Sequence, residues 1–391
     1  MTATLQLDVA IFGGGIAGLW SLARLRQAGY AVALFETGAL GGVQSIASQG
    51  IIHGGTKYAL GGRLGGTAQA IAGMPARWRA CLAGGGELDL SAVRVLSPHQ
   101  YLWSTGGVGS GLAGFFAGRL MRSRMTRVAS GAAPPPFDHP AFQGQLYRLE
   151  EPVLDTASLM GALAARWGEH CHAYPEEGLR PDPADPGRFH IGALSLSARR
   201  LLFAAGSGNA GLLARWGRQA PRMQTRPLHM LMLRGALPPL FAHCLGASAN
   251  PRLTITSAAR DGGQVWYLGG ELAERGVGLA PEAQIAAGRR ELAQVLPWVP
   301  LEGGRWSGLR VDRAEPMMPG ARRPDDVFLQ ADGPLLTAWP TKLALAPRLA
   351  DRVLEALAAA GVGPSGRAVP PLPLPRPPLA RRPWEEARPW S

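Results

Sequence analysis

A short, mostly apolar run that ends in a spaced glycine triplet constrains this chain more than any other feature. Residues 7–12 read Leu-Asp-Val-Ala-Ile-Phe, and Gly13, Gly15 and Gly18 follow with G-x-G-x-x-G spacing. The run predicts a buried parallel strand. Gly13 allows a tight turn, Gly15 lets backbone approach a pyrophosphate, and Gly18 lets the next helix pack closely on the strand. A helix is expected from about residue 16 to 28, stopped by Gly29. Its first amides, at Ile16 and Ala17, would point at phosphate oxygens, where the helix dipole favours negative charge.

Residues 30–35 predict a second strand, and Glu36 follows it. A carboxylate at that spacing can accept hydrogen bonds from ribose hydroxyls, which favours an unphosphorylated ribose, as in FAD or NAD, over NADP. The glycines alone are a weak signal. Strand, glycines, helix, strand and acid in this order are a strong one.

A second motif sits close behind. Gln44 and Ser45 open a small, polar stretch that leads into Gly50-Ile51-Ile52-His53-Gly54-Gly55. With this phrase the chain resembles the D-amino-acid oxidase superfamily of FAD-dependent oxidoreductases. It is nearest in motif to the glycerol-3-phosphate dehydrogenase and 2-hydroxyglutarate oxidase branch. The resemblance implies an α/β fold: a discontinuous Rossmann-like FAD-binding domain and a second α+β substrate domain with a mostly antiparallel sheet. It extends, in order, over roughly residues 5–360. Ala205 and Gly206 end an apolar run as in the family's late strand by the pyrophosphate. Arg310 takes the place of the family's substrate arginine, and Thr341, Lys342 and Leu343 take that of its closing flavin loop. Two departures are evident: the closing loop is Ala-Trp-Pro-Thr-Lys rather than glycine-rich, and Arg310 is followed by Val-Asp-Arg.

On this resemblance the FAD-binding domain is expected from residues 1–85, 150–215 and 305–360, and the substrate domain from 86–149 and 216–304. Residues 361–391, rich in proline, are expected to form a poorly ordered extended tail that is inert, binds a partner or straps along the body. Asp155 reads as the N-cap of a helix to residue 167. Strands are expected at 228–234 and 264–268, and helices at 281–296 and 346–360.

The formal charge of +12 is carried by 38 arginines and only 2 lysines. Both lysines, Lys57 and Lys342, fall within the motifs assigned to flavin. The arginines are spread along the chain and no nucleic-acid module is recognisable, so nucleic acid is not favoured as a partner. Residues 106–121 are glycine-rich and apolar with arginines following, which reads either as a lid or core helix or as a peripheral membrane contact for a quinone. Three widely spaced cysteines and the absence of a leader or membrane-length apolar run point to the cytoplasm. No metal site is expected.

Flavin would carry the redox step, leaving the protein to bind, orient and tune. Arg310 reads as an anion clamp, because guanidinium matches carboxylate bidentately; the alternative is a surface arginine. His53 reads as a base, because imidazole titrates near working pH; the alternatives are a histidine buried behind the ring and a covalent flavin link. Lys342 reads as a charge beside the flavin. Tyr58, His229 and Tyr267 read as substrate-pocket walls. The expected reaction is hydride transfer from a small anionic substrate, a 2-hydroxy acid or an amino acid or amine, to FAD and then to oxygen or a quinone. The alternative is a flavoprotein acting on RNA or a protein partner through its basic surface and tail.

Overall fold

The structure, a computed structural model, describes residues 4–54, 71–105, 125–246, 250–322, 324, 326–386 and 389–391. Gly55, Lys57, Tyr58 and the segment 106–121 lie outside the described residues. The strands used below are β1 (Leu5–Phe12), β2 (Val32–Glu36), β3 (Gln100–Ser104), β4 (Met125–Arg127), β5 (Gln145–Leu149), β6 (Cys171–Ala173), β7 (Leu194–Phe203), β8 (Met223–Gly235), β9 (Ala242–Cys244), β10 (Leu253–Arg260), β11 (Gly263–Gly269), β12 (Arg305–Pro316), β13 (Phe328–Asp332) and β14 (Leu335–Trp339). The helices are α1 (Ile16–Gln27), α2 (Met74–Leu82), α3 (Thr156–Trp167), α4 (Asn209–Arg215), α5 (Glu271–Arg275), α6 (Pro281–Val295) and α7 (Ala346–Ala359).

The first sheet runs β13-β14-β7-β1-β2-β6. Its central pairs are parallel, with β1 between β2 and β7. Strand β1 is buried on both faces, which is why its sequence is nearly continuously apolar. One face carries α1, α3 and α7 over a core that includes Trp20, Trp78 and Leu349. The other carries an aromatic cluster of Phe12, Phe35, Phe189, Phe203 and Trp216. Asp155 caps α3 as expected, its Oδ1 accepting from the Ala157 and Ser158 amides at 3.1 and 3.2 Å.

The second sheet runs β12-β8-β11-β10-β9-β3-β5-β4, and its pairs are antiparallel except β9 with β3. Its outer face is covered by α6: a Cβ at Gly288 would lie 2.4 Å from Leu231 and 3.1 Å from Trp306. Its inner face, with Met230, Met232, Tyr267, Leu309 and Val311, turns toward the first sheet. The expected boundary at residue 305 is displaced. Strand β12 pairs along its whole length with β8, so the chain returns to the first sheet only at β13.

Of the readings open for the tail, the structure shows the strap: it is bound along the body rather than loose. The Leu40 amide donates to Pro378 O, the Ala380 amide to Leu40 O, and the Ala173 amide to Pro375 O. These contacts cover the open edge of the first sheet at β6, which otherwise presents unpaired backbone. Arg382 pairs with the Asp155 carboxylate at 2.6 Å, and Trp384 packs on Tyr267 with ring centroids 5.8 Å apart. Ser391 exchanges two backbone hydrogen bonds with Trp306 of β12. The proline content explains the fit, since a pre-extended segment loses little entropy on binding.

Candidate active site

A cleft of about 560 Å3 opens between the two sheets, within the size range of cofactor sites. Its first end is the turn from β1 into α1. Gly13 adopts φ +110°, and a Cβ there would sit 2.5 Å from Ala205 Cα. A Cβ at Gly18 would sit 1.9 Å from Gly13 O, so this glycine sets helix–strand contact and does not line the cleft. Gly13, Gly15, Ile16 and Ala17 do line it. The Ile16 amide donates to Ser45 Oγ at 3.0 Å, which ties the second motif onto the helix terminus. Glu36 accepts from the Gly14 and Gly38 amides at 2.5 and 2.7 Å, and its carboxylate lines the cleft.

The middle of the cleft is closed by loops from β7 and β14. Ala205 and Gly206 line it, and the Trp339 indole donates to Gly206 O at 3.0 Å. Thr341 holds φ +61°, unusual for a β-branched residue. Its hydroxyl donates to Asp326 O at 3.1 Å. Lys342 and Leu343 are thereby carried to the cleft wall. Gln44 Oε1 accepts from the Ala314 amide at 3.0 Å, which joins this region to β12.

The other end is made of side chains from distant strands. His53 lines the cleft beside His243, their rings 5.7 Å apart and 23° from parallel. His243 Nδ1 lies 2.8 Å from Thr254 Oγ1. Behind His53, its Nδ1 is 3.5 Å from Glu151 Oε2. Glu151 is 4% exposed. Burial pushes its carboxyl up, but the His53 contact, the Gly54 amide and the Gln100 amide outweigh that and hold it below the usual carboxylate value.

Besides Gly18, four residues named from the sequence stand off the cleft wall. Gly54 is not on the cleft wall; its amide donates to Glu151 Oε1 at 2.6 Å, and a Cβ would meet that oxygen at 3.2 Å and Pro75 at 3.1 Å. His229 and Arg310 pair across β8 and β12 but point to the helix-covered face. Arg310 donates to Val277 O and Leu279 O at 2.6 and 2.7 Å, and His229 Nδ1 lies 3.0 Å from Gly276 O. The reason is strand parity: Leu309 and Val311 lie on the inner face, so Arg310 between them faces away. Tyr267 faces inward, but its hydroxyl is bonded to Ala47 O at 2.9 Å and it is 1% exposed, so it supports the wall without forming it.

Sequence reasoning missed His243, Thr254, Glu151 and Arg313. Alternation along β12 was the available signal for Arg313; Glu151, next to Pro152 at a strand end, carries none. Among the described residues there is no cluster suited to a metal. The three cysteines are buried and unbridged, and burial pushes the Cys171 and Cys244 thiols up to about 12, far from a reactive thiolate. No helix among the described residues is long and apolar enough to cross a membrane.

The cradle fits FAD: Gly13, where a Cβ would overlap Ala205, a helix terminus at the cleft, and the Glu36 carboxylate that follows the second strand. The profile of the DAO family, described as FAD dependent oxidoreductase, matches residues 8–341. The probable FAD-dependent oxidoreductase PA4991 of Pseudomonas aeruginosa is 51% identical, covering 99% of this chain and 100% of that protein. The crystal structure of that oxidoreductase superposes with a TM-score of 0.85 at 46% identity, over 98% of this chain and 99% of that one. Glycine oxidase from Geobacillus kaustophilus shares the fold at TM-score 0.67 and 16% identity, over 91% of this chain and 95% of that one. L-alpha-glycerophosphate oxidase from Mycoplasma pneumoniae, solved with FAD bound, does so at 0.61 and 12%, over 90% and 95%.

Proposed function

This chain belongs to the DAO family of FAD-dependent oxidoreductases, and on that premise we propose that its cleft oxidises a small hydroxy acid or amino acid, with His53 as proton acceptor. One observation carries the reading: His53, backed by the buried Glu151 carboxylate, lines the same cleft as the glycine cradle and Glu36. When bound, FAD supplies the acceptor for a hydride. The chain's own residues bind, orient and manage protons. His53 is placed to take a hydroxyl or ammonium proton as the C–H bond is broken. His243, Asn250 and Thr254 line the cleft with His53 and offer polar contacts to substrate. Lys342 brings a point charge to the wall.

The anion-clamp role expected of Arg310 does not transfer to a small substrate at His53. Arg313 is the β12 arginine on the cleft, but β12 lies four inter-strand steps from β9, which carries His243. At about 4.8 Å per step this is roughly 19 Å across the sheet. Arg313 is therefore assigned to an anionic part of the cofactor. The oxygen-or-quinone choice of final acceptor stays with the reaction class.

The test is anaerobic bleaching of the yellow protein by 2-hydroxy acids, glycerol 3-phosphate, D- and L-amino acids and N-methyl amino acids. One class is expected to bleach it rapidly, and His53→Gln to slow that bleaching by about 100-fold or more with FAD content intact. No bleaching by any compound, with the flavin still reducible by dithionite, would overturn the small-substrate reading.

A further inference from the structure

We infer that Glu151 is a positioning residue: an acceptor-only carboxylate that fixes His53 with its proton on Nδ1 and keeps Nε2 as the unprotonated ring nitrogen. The inference rests on the reading of His53 as the base. Two N–H donors and one imidazole nitrogen converge on this one side chain. The Gly54 amide reaches Oε1 at 2.6 Å, the Gln100 side-chain amide donates to Oε2, and His53 Nδ1 stands 3.5 Å from Oε2. Gln100 is fully buried and Glu151 nearly so, so water cannot substitute for these partners.

The identity of the acid follows from that count. An ionised carboxylate accepts at both oxygens and donates nothing. Facing two N–H donors already, it requires the third neighbour to be a donor too. For a neutral imidazole that neighbour is Nδ1–H, and the proton on one ring nitrogen leaves the other as an acceptor. His243 stacked on the ring limits its rotation. Gly54 belongs to the same device, since a Cβ there would press on Glu151 Oε1 and on Pro75 of α2. The sequence thus places the base and the amide that anchors its orienting acid side by side.

A glutamine at 151 cannot satisfy this set. It has one acceptor oxygen where the carboxylate has two, and its own N–H must point at one of these neighbours. The arrangement without clash turns that N–H toward His53, which forces the imidazole proton onto Nε2 and removes the acceptor there.

The experiment is 15N NMR of histidine-labelled, FAD-loaded protein, at a pH where the ring is neutral, with His53 assigned by difference from His53→Gln. The wild type is expected to show Nδ1–H, Glu151→Asp to keep it, and Glu151→Gln to show Nε2–H. A wild-type ring protonated on Nε2 would overturn the inference without any variant, and so would an unchanged Nδ1–H ring in a folded Glu151→Gln protein. These outcomes are separate from the parent reading: His53→Gln bleaching at the wild-type rate would remove the base assignment and leave the tautomer result standing.

Discussion

The two ends of the cleft are built on different principles. The nucleotide end is largely backbone: Gly13, Gly15, the start of α1 and the Glu36 carboxylate come from one short stretch, and a Cβ at Gly13 would overlap Ala205. The His53 end is side chain: His53, Glu151, His243 and Thr254 come from segments up to 201 residues apart (254 − 53) and meet only when the second sheet has formed. The first end is fixed by local geometry and fails abruptly when a single atom is added. The second is fixed by register and polar satisfaction, and degrades by loss of orientation.

The sharpest way to break the nucleotide end is Gly13→Val. The new side chain would overlap Ala205 and force a β-branched residue to φ +110°. Overpacking and backbone strain together amount to about 3–5 kcal/mol. Colourless protein with a markedly lower Tm is expected; a yellow protein of normal Tm would show that the turn relaxes.

The tail touches both sheets, and its removal tests whether they are coupled. Deleting residues 376–391 removes the Arg382–Asp155 pair, the Trp384 contact on Tyr267 and the Ser391 bonds to Trp306. Losing a paired buried charge and an aromatic contact is expected to cost about 2–4 kcal/mol, read as a fall in Tm. Acid should loosen the same strap. Burial pushes the Asp155 and Asp8 carboxyls up, but hydrogen bonds from Arg382 and the Ser158 amide to Asp155, and from Ala31, Ser365 and Arg199 to Asp8, hold both below the usual value. The stability they give is complete above the ordinary Asp value of about 3.9 and is lost as pH falls through the depressed values. Proteolysis of the tail should therefore rise below about pH 4, and Asp155→Asn should show loosened tail at neutral pH.

The smallest expected difference separates two arginines three residues apart. Arg313→Met should weaken FAD binding about tenfold, or 1.4 kcal/mol. Arg310→Met should leave both FAD binding and substrate KM within twofold, since its guanidinium donates to the Val277 and Leu279 carbonyls away from the cleft. If Arg310→Met raised KM while Arg313→Met did nothing, the parity assignment of β12 would be wrong.

The β1–α1 turn was legible because its determinants are contiguous and the physics is short-range: Gly13 and Gly18 each answer a local steric demand. The elements flanking it, including the Asp155 cap, were legible for the same reason. At the His53 end only His53 was visible. Glu151 and His243 act through contacts that strand pairing creates, and nothing near either residue in sequence announces them. Arg310 teaches something different. Leu309 and Val311 alternate with Arg310 and Asp312, so the facing of the arginine was readable, but its place in a family phrase outweighed the alternation. The proline-rich tail was read by composition, which describes how a free segment behaves and not what edge it will cover.

Along the described strands the chain passes between the two sheets four times: β1–β2, then β3–β5, then β6–β7, then β8–β12, then β13–β14. A gene that encodes such a threading has no single crossover point at which the nucleotide half could be exchanged for another while the half holding His53 is kept. New substrates must then arise by substitution within the second sheet and its loops, one side chain at a time, on a cradle inherited whole.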